Sequence, residues 1–494
     1  MQRLQMLGQW RGSALAGLCF AASACVDEKI VYRDGPAFVA PPAAAANFLG
    51  YHDEITNRTT CGNCHVTQQG KWEQTAHSDA WATLQASSGA GASCEGCHTV
   101  SNKGNAVTDA NVGYTATKDS RYHDVQCESC HGPGLDHVTA PARGQMLASV
   151  HADTGAVTNG CAECHSGTHH PFVEEWRASR HGRPNDHTFA STGEPNASCR
   201  GCHVGQYVLA AWGVNTNYVE KTGATNLANS EGVTCVVCHD PHGSAFPKQL
   251  RFAVDAKDPE TNLCAKCHQR RSTPDWSGSR DSPHAPQGPL VFGTAGWWPP
   301  GIEFLETQST HGTEANPRLC ATCHVQRYNV TDAATGQFQV TVVGHRFLAI
   351  PCVDANGRPT AEQKDEDGKR LCQVTSVSFK GCVNSGCHSS ETTARSAFVA
   401  VENDVATLVA LLDGMIAQVP SNQFGAGKVT VGRGAKFNSE MAKMPGSEVH
   451  NPFMIKALLR YSGVALNQTY GIPLPPGLAP TASDAKRVRV SSSH

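Results

Sequence analysis

Cys61-Gly62-Asn63-Cys64-His65 is the first of nine places where a pair of thiols is followed at once by an imidazole. Seven more compact copies begin at Cys94, Cys127, Cys161, Cys199, Cys235, Cys264 and Cys320, with second thiols at Cys97, Cys130, Cys164, Cys202, Cys238, Cys267 and Cys323. A stretched copy reads Cys382-Val383-Asn384-Ser385-Gly386-Cys387-His388. The imidazoles next to these pairs are His65, His98, His131, His165, His203, His239, His268, His324 and His388. Two thiols three positions apart can form thioethers to both vinyl groups of one haem, and the adjacent imidazole then ligates the iron from the proximal side.

Cys-x-x-Cys pairs also build zinc knuckles, but zinc does not require a histidine directly after the second thiol. Histidine is 24 of 494 residues, so chance would place one after a given pair about once in twenty. All eight compact pairs have one, which excludes zinc as the common explanation. A disulfide across three residues is strained and makes no use of the histidine. In the stretched copy Asn384 and Gly386 stand where a bulged backbone needs them, with a disulfide-held pair as the alternative. The reading is nine covalently attached haems c.

Residues 1–24 have the form of an export signal: Arg3 and Arg11, an apolar run from Ala14 to Ala22, then Ala22-Ser23-Ala24 before Cys25. The run is too short to remain across a bilayer. Of 22 cysteines, Cys19 lies in this segment and 18 serve the nine motifs, leaving Cys25, Cys352 and Cys372. Cys352 and Cys372 flank a polar turn and can close a disulfide in an oxidising compartment. Cys25 resembles the lipid-modified cysteine of a bacterial lipoprotein, although Ala22 stands where leucine is usual. The expected location is outside the cytoplasmic membrane, in the periplasm or on the outer membrane or cell surface, with a lipid on Cys25 as the anchor.

Motif starts step by 33, 33, 34, 38, 36 and 29 residues and then by 56 and 62. The early regularity marks an array of units too short to carry protein cores of their own. The expected organisation is a signal peptide (1–24), a linker (25–50), a haem array (51–330), a β-hairpin insertion (331–380), a ninth-haem and helical region (381–470) and a tail (471–494). The fold class is mostly coil, with short α-helices packed around a haem chain, a small β-hairpin and C-terminal helices. Phe338 to Phe347 alternates as a strand, with 374–379 as its expected mate. Phe398, Val401, Val405, Leu408, Leu412, Met415 and Val419 lie on one helical face ended by Pro420. Asn451-Pro452 reads as N-cap and first residue of a helix reaching about Tyr461. The net charge is −3 and the only basic cluster is the short Lys486–Arg489 stretch, so nucleic acid is not an expected partner.

An iron with two protein ligands moves electrons, whereas one with an open position can bind a small molecule. Removing the nine proximal histidines leaves 15, enough to close every iron; the few methionines lie mainly in the C-terminal helical region. Distal candidates are His77, His137, His181, His242, His284, His311, His345 and His450. His77 and His181 end matching segments, Trp72-x-x-Thr75-x-His77 and Trp176-x-x-Ser179-x-His181, and Ser309-Thr310-His311 is a reduced copy. His137 and His242 lie too close to their own motifs to cross the ring plane, so each is expected to serve a neighbouring haem. His123 and the His169-His170 pair stay open. His52, His151, His187 and His494 are not expected to ligate.

Cys127-Glu128-Ser129-Cys130-His131-Gly132-Pro133-Gly134 with His137, the two tryptophan segments and His239-Asp240-Pro241-His242 resemble the tetrahaem cytochromes of nitrifying bacteria. They also resemble the larger periplasmic or outer-surface multihaem cytochromes of metal-respiring bacteria. Val449-His450-Asn451-Pro452-Phe453 with Leu458-Leu459 resembles the C-terminal helix of the superfamily holding pentahaem nitrite reductase and octahaem hydroxylamine oxidoreductase. The resemblance implies haems in alternating stacked and perpendicular pairs. Nitrite reductases of that superfamily carry lysine for one proximal histidine, and no Cys-x-x-Cys-Lys occurs here. The expected function is electron transfer between redox proteins through mainly bis-histidine haems. The competing expectations are a reductase or oxidase of a small nitrogen or sulfur species at one open iron, and a homo-oligomeric cytochrome filament.

Overall fold

Each compact attachment motif closes on itself as a single helical turn. In the computed structural model the amide of His65 donates to Cys61 O (2.9 Å), His131 to Cys127 (3.0 Å), His165 to Cys161 (3.0 Å) and His239 to Cys235 (2.9 Å). One such turn puts positions i, i+3 and i+4 on the same side, so both sulfurs and the imidazole address one object. The structure describes residues 47–490 apart from 54, 144, 152–158, 183–196, 215–216, 221–229, 278–281, 306–309, 362–371, 373–375, 384–385 and 426. The signal segment, Cys25, most of the linker, His187 and His494 lie outside the described residues.

Helices α1 (Val66–Trp72) and α2 (Phe172–Ala178) explain the repeated tryptophan segment. Trp72 Nε1 donates to Val125 O (2.9 Å) and Trp176 Nε1 to Val233 O (2.8 Å), tying each helix to the chain just ahead of a later motif. Thr75 Oγ1 donates to Trp72 O and Ser179 Oγ to Trp176 O, closing the helix end and turning the chain toward His77 and His181. Glu128 holds the N-terminal lead-in: its buried carboxylate accepts from the amides of Leu49 (3.0 Å), Gly50 (2.8 Å) and Gly134 (2.7 Å). Gly50 has φ +67°, and a Cβ there would lie 2.4 Å from Arg121 Cγ, so the turn requires glycine. Apolar clusters in this part are small, such as Phe48, Val100, Tyr114 and Tyr122, or Val150, Val208, Leu209, Val236 and Val237.

The C-terminal part has a protein core. Helix α3 (Glu391–Ile416) buries Val405, Leu408, Val409, Leu412 and Met415 against α4 (Val431–Ala442) and α5 (Pro452–Tyr470). Ser390 caps α3 by accepting from Thr393 N, and Asn451 caps α5 by accepting from Met454 N, with Pro452 in the first turn. Helix α5 runs nine residues beyond the expected end at Tyr461 and stops at Gly471, which takes the left-handed conformation (φ 69°). Its small Gly463 lets Leu478 pack against it, so the glycine does not break the helix.

Three two-stranded antiparallel sheets occur among the described residues: β1 (Tyr51–Asp53) with β2 (Arg58–Thr59), β3 (Ile302–Phe304) with β6 (Val488–Val490), and β4 (Tyr328–Thr331) with β5 (Phe338–Val342). The expected strand after Phe338 is therefore present over Phe338–Val342, but it pairs with the chain before it, and among the described residues not with 376–379. The reason is local: Asp332 Oδ1 accepts from the amides of Ala334 and Thr335, and Gly336 (φ 70°) completes a tight turn joining β4 to β5. Residues near 377 instead form an isolated bridge with Cys352, which is disulfide-bonded to Cys372. No helix among the described residues is long and apolar enough to cross a membrane.

Candidate functional site

Seven of the nine motif histidines face a second imidazole at nearly the same separation. Ring centres are 6.4 Å apart for His65 and His137, 6.1 Å for His165 and His77, and 6.1 Å for His131 and His242. They are 6.2 Å for His268 and His181, 6.2 Å for His203 and His284, 6.5 Å for His239 and His345, and 6.2 Å for His324 and His450. Two metal–imidazole bonds of about 2 Å back to back, plus about 1 Å from each nitrogen to its ring centre, give about 6 Å. Direct stacking brings rings closer, as for His123 on Trp81 at 4.5 Å. The seven gaps thus have the width of one metal atom with an imidazole on each side. A tetrahedral zinc site would instead need four converging protein donors; a haem takes two, because the porphyrin supplies the rest. The residues fit haem.

Carbonyl oxygens set the tautomer of several rings. His98, His131, His239, His311 and His324 hold Nδ1 within 2.7–2.8 Å of the carbonyls of Ala80, Met146, Lys248, Val449 and Phe347. A carbonyl only accepts, so Nδ1 carries the proton and Nε2 keeps its lone pair for a metal. Burial favours the same neutral form. It pushes His165 and His345 down to about 4 and His181 and His450 to about 3, with neighbouring imidazoles adding to the effect.

His345 sits in an irregular stretch, and its position comes from Glu175 on α2. That buried carboxylate accepts from the amides of Val343 (2.9 Å) and His345 (2.7 Å). Sequence reasoning missed Glu175, because nothing about a glutamate in a short helix announces a contact 170 residues away.

The open histidines separate. His123 packs on Trp81 and Tyr114 in a small aromatic cluster. His169 stacks on Phe338 at 4.8 Å, whereas His170 lies within electrostatic reach of His98. His311 lies within similar reach of His388. Among the described residues no imidazole stands at 6.1–6.5 Å from His98 or His388. His151 faces Glu231 at 2.8 Å.

One-turn thiol–thiol–imidazole motifs, closed imidazole pairs and a coil-rich array beside a helical core define a class: this chain is a multihaem c-type cytochrome, with haem c held covalently at its Cys-x-x-Cys-His motifs. Residues 60–132 match the family described as cytochrome c554 and c-prime, and residues 228–273 match a doubled CXXCH motif. The C-type polyheme cytochrome OmcB of Geobacter sulfurreducens is 24% identical over 298 residues, covering 53% of this chain and 35% of that protein. OmcC of the same organism is 27% identical over 169 residues, 30% of this chain and 20% of its own length. The chain thus spans about a third or less of these curated relatives. Among solved structures, the undecaheme cytochrome from the S-layer of Carboxydothermus ferrireducens has a TM-score of 0.52 at 20% identity, covering 89% of this chain and 71% of that one. The outer cell wall cytochrome OcwA has a TM-score of 0.50 at 20% identity, over 76% of this chain and 75% of that one.

Proposed function

We propose that the chain is a nonahaem electron carrier, mainly bis-histidine, acting between redox proteins outside the cytoplasmic membrane. The observation that carries this reading is the set of seven imidazole pairs separated by one metal's width. Haem iron would supply a one-electron couple; the paired imidazoles would hold it, and the backbone carbonyls on Nδ1 leave Nε2 free to ligate. A ligand that stays bound in both oxidation states favours transfer over chemistry at the metal. The names of the similar proteins point to an outer cell wall and an S-layer, and a surface position for this chain rests on that likeness and on the signal-like residues 1–24. A lipid on Cys25 would provide the anchor, and assembly into homo-oligomers or filaments is compatible with a carrier.

A second reading has support at His98 and His388, which lack a second imidazole at closing distance among the described residues. An iron there is the place for a small nitrogen or sulfur ligand. Electron paramagnetic resonance of the oxidised protein with haem quantitation separates the readings. Nine haems with low-spin signals throughout are expected of the carrier. A high-spin fraction with turnover of such a species would replace it by the enzyme. The mass of the mature N-terminus reads lipidation directly.

A further inference from the structure

The seven imidazole pairs share a separation but not an orientation. The two ring planes lie 14° apart for His324 and His450, 18° for His131 and His242, 20° for His239 and His345, and 26° for His65 and His137. They lie 42° apart for His203 and His284. Two pairs are strongly twisted: His77 and His165 at 59°, and His181 and His268 at 65°. Different neighbours hold the two kinds of pair. In three of the flat pairs a backbone carbonyl grips the motif ring: Met146 O on His131, Lys248 O on His239 and Phe347 O on His324, each 2.8 Å from Nδ1. A hydrogen bond on the second nitrogen fixes the orientation of a ligating ring. Among the described residues no such carbonyl holds the ring of His165 or His268. Each twisted pair instead meets a phenyl. Phe172 lies 5.5 Å from His165 with the planes at 85°, and Phe347 lies 4.6 Å from His181 at 64°. Edge-to-face contact is a favoured aromatic geometry, so a phenyl held in place resists rotation of the imidazole against it. Among the described residues no phenyl or indole makes such a contact with His131, His242, His324 or His450.

Both phenyls are placed from one helix. Phe172 opens α2, and Glu175 one turn later accepts the amides of Val343 and His345. The chain held there turns sharply. Gly344 has φ +80°, a Cβ on it would lie 2.6 Å from Gln326 N, and Phe347 itself takes φ 56°. A bulky residue adopts that conformation only where its surroundings hold it. His345 lies between the two phenyls, 4.9 Å from Phe172 and 5.5 Å from Phe347. Its pair stays flat, because carbonyls hold both rings: Val343 O lies 3.1 Å from His345 Nδ1, and Lys248 O grips His239. Phe347 thus acts twice. Its carbonyl grips His324 in a flat pair, and its ring rests against His181 in a twisted one.

We propose that Phe172 and Phe347 are positioning residues that set two haem sites, the one at Cys161 and Cys164 and the one at Cys264 and Cys267, apart from the flat-pair sites as places where electrons are stored. Parallel imidazole planes donate into one iron d orbital and split it from its partner, which stabilises the ferric state. Crossed planes spread the same donation over two orbitals and stabilise the ferric state less, so the potential rises; orientation here adds to the levers by which a protein tunes haem. At each crossed site the iron takes one electron from a donor redox protein, ferric to ferrous, and gives it up when a one-electron acceptor of higher potential docks. The added function is a two-electron reserve inside the carrier. It rests on the bis-histidine reading above.

Electron paramagnetic resonance of the holoprotein during a reductive titration tests this, because crossed planes give a strongly anisotropic low-spin signal and parallel planes a rhombic one. The strongly anisotropic signals are expected to vanish before the rhombic ones; the reverse order overturns the reserve. Phe347→Leu keeps the carbonyl on His324 and removes the ring. It should turn the anisotropic signal of the haem at Cys264 and Cys267 rhombic and lower its midpoint potential. Phe172→Leu should do the same at Cys161 and Cys164. Phe347→Tyr and Phe172→Tyr keep the ring and should keep both signals. Anisotropic signals that survive in the leucine variants, or that are lost equally in the tyrosine ones, overturn the positioning role. Should the variants fail to fold, diffraction from the wild-type holoprotein reads the ring angles directly, and flat planes at either pair overturn the proposal. A haem total short of nine, or a high-spin fraction with turnover, counts against the carrier reading alone, since the low-spin signals of these two sites are read separately.

Discussion

The haem array and the C-terminal helices solve the same problem with different materials. Around α3, α4 and α5 a single continuous cluster runs from Val405 to Leu478 and takes in Leu290 and Ala295 from the end of the array, with Leu412, Met441, Met454, Leu459 and Leu466 fully buried. In the array the apolar clusters hold only a few side chains each, and the motif thiols are part-exposed or exposed. A chain with so little apolar surface per unit cannot repay its ordering entropy from side chains alone. The comparison teaches that the helical part builds its own core from side chains, whereas the array would need haem to supply one.

The largest expected effect breaks the comparison outright. A chain made where haem cannot be attached should lose hydrogen-exchange protection throughout the array while α3 and α5 keep measurable protection. Equal protection in both parts would show that the array does not need its cofactor. A smaller effect works from the other side. Leu412→Ala empties a fully buried site and should cost about 2–5 kcal/mol in denaturant unfolding of the helical part. The low-spin spectra of the array should be unchanged, and a spectral change would mean the two parts share one core. The smallest sharpens the ligand geometry. Glu175→Gln presents an amide N–H₂ to the amide of Val343 or His345 and should cost about 1–3 kcal/mol. One low-spin signal, that of the haem at Cys235 and Cys238, should broaden or shift; an unmoved spectrum would remove the positioning role of Glu175.

Local rules carried sequence reading a long way. A five-residue motif spans one helical turn, so its two sulfurs and imidazole needed no tertiary information. The Trp-x-x-Ser/Thr-x-His segments were legible as a pattern, though not as what they are: an indole anchored to a distant carbonyl and a hydroxyl closing a helix end. The amphipathic face of α3 and the Asn451-Pro452 start of α5 were readable because both depend on neighbours within a turn or two. The mate of β5 was misjudged because the turn at Asp332–Gly336 settles the pairing within a few residues, ahead of any alternation farther along. His169 and His170 could not be told apart in sequence; Phe338, far along the chain, stacks on His169, whereas His170 lies over Phe172.

By itself, then, the sequence determined the cofactor and the Cys-x-x-Cys-His motifs that bind it, because both are properties of adjacent residues. Only the tertiary structure decided which imidazole faces which. A distal ligand must approach from the opposite side of a ring plane that its own short motif cannot cross, so it comes from another unit. His77 faces His165, His181 faces His268, and His450 faces His324. That choice depends on how whole units pack, and no spacing within one motif records it.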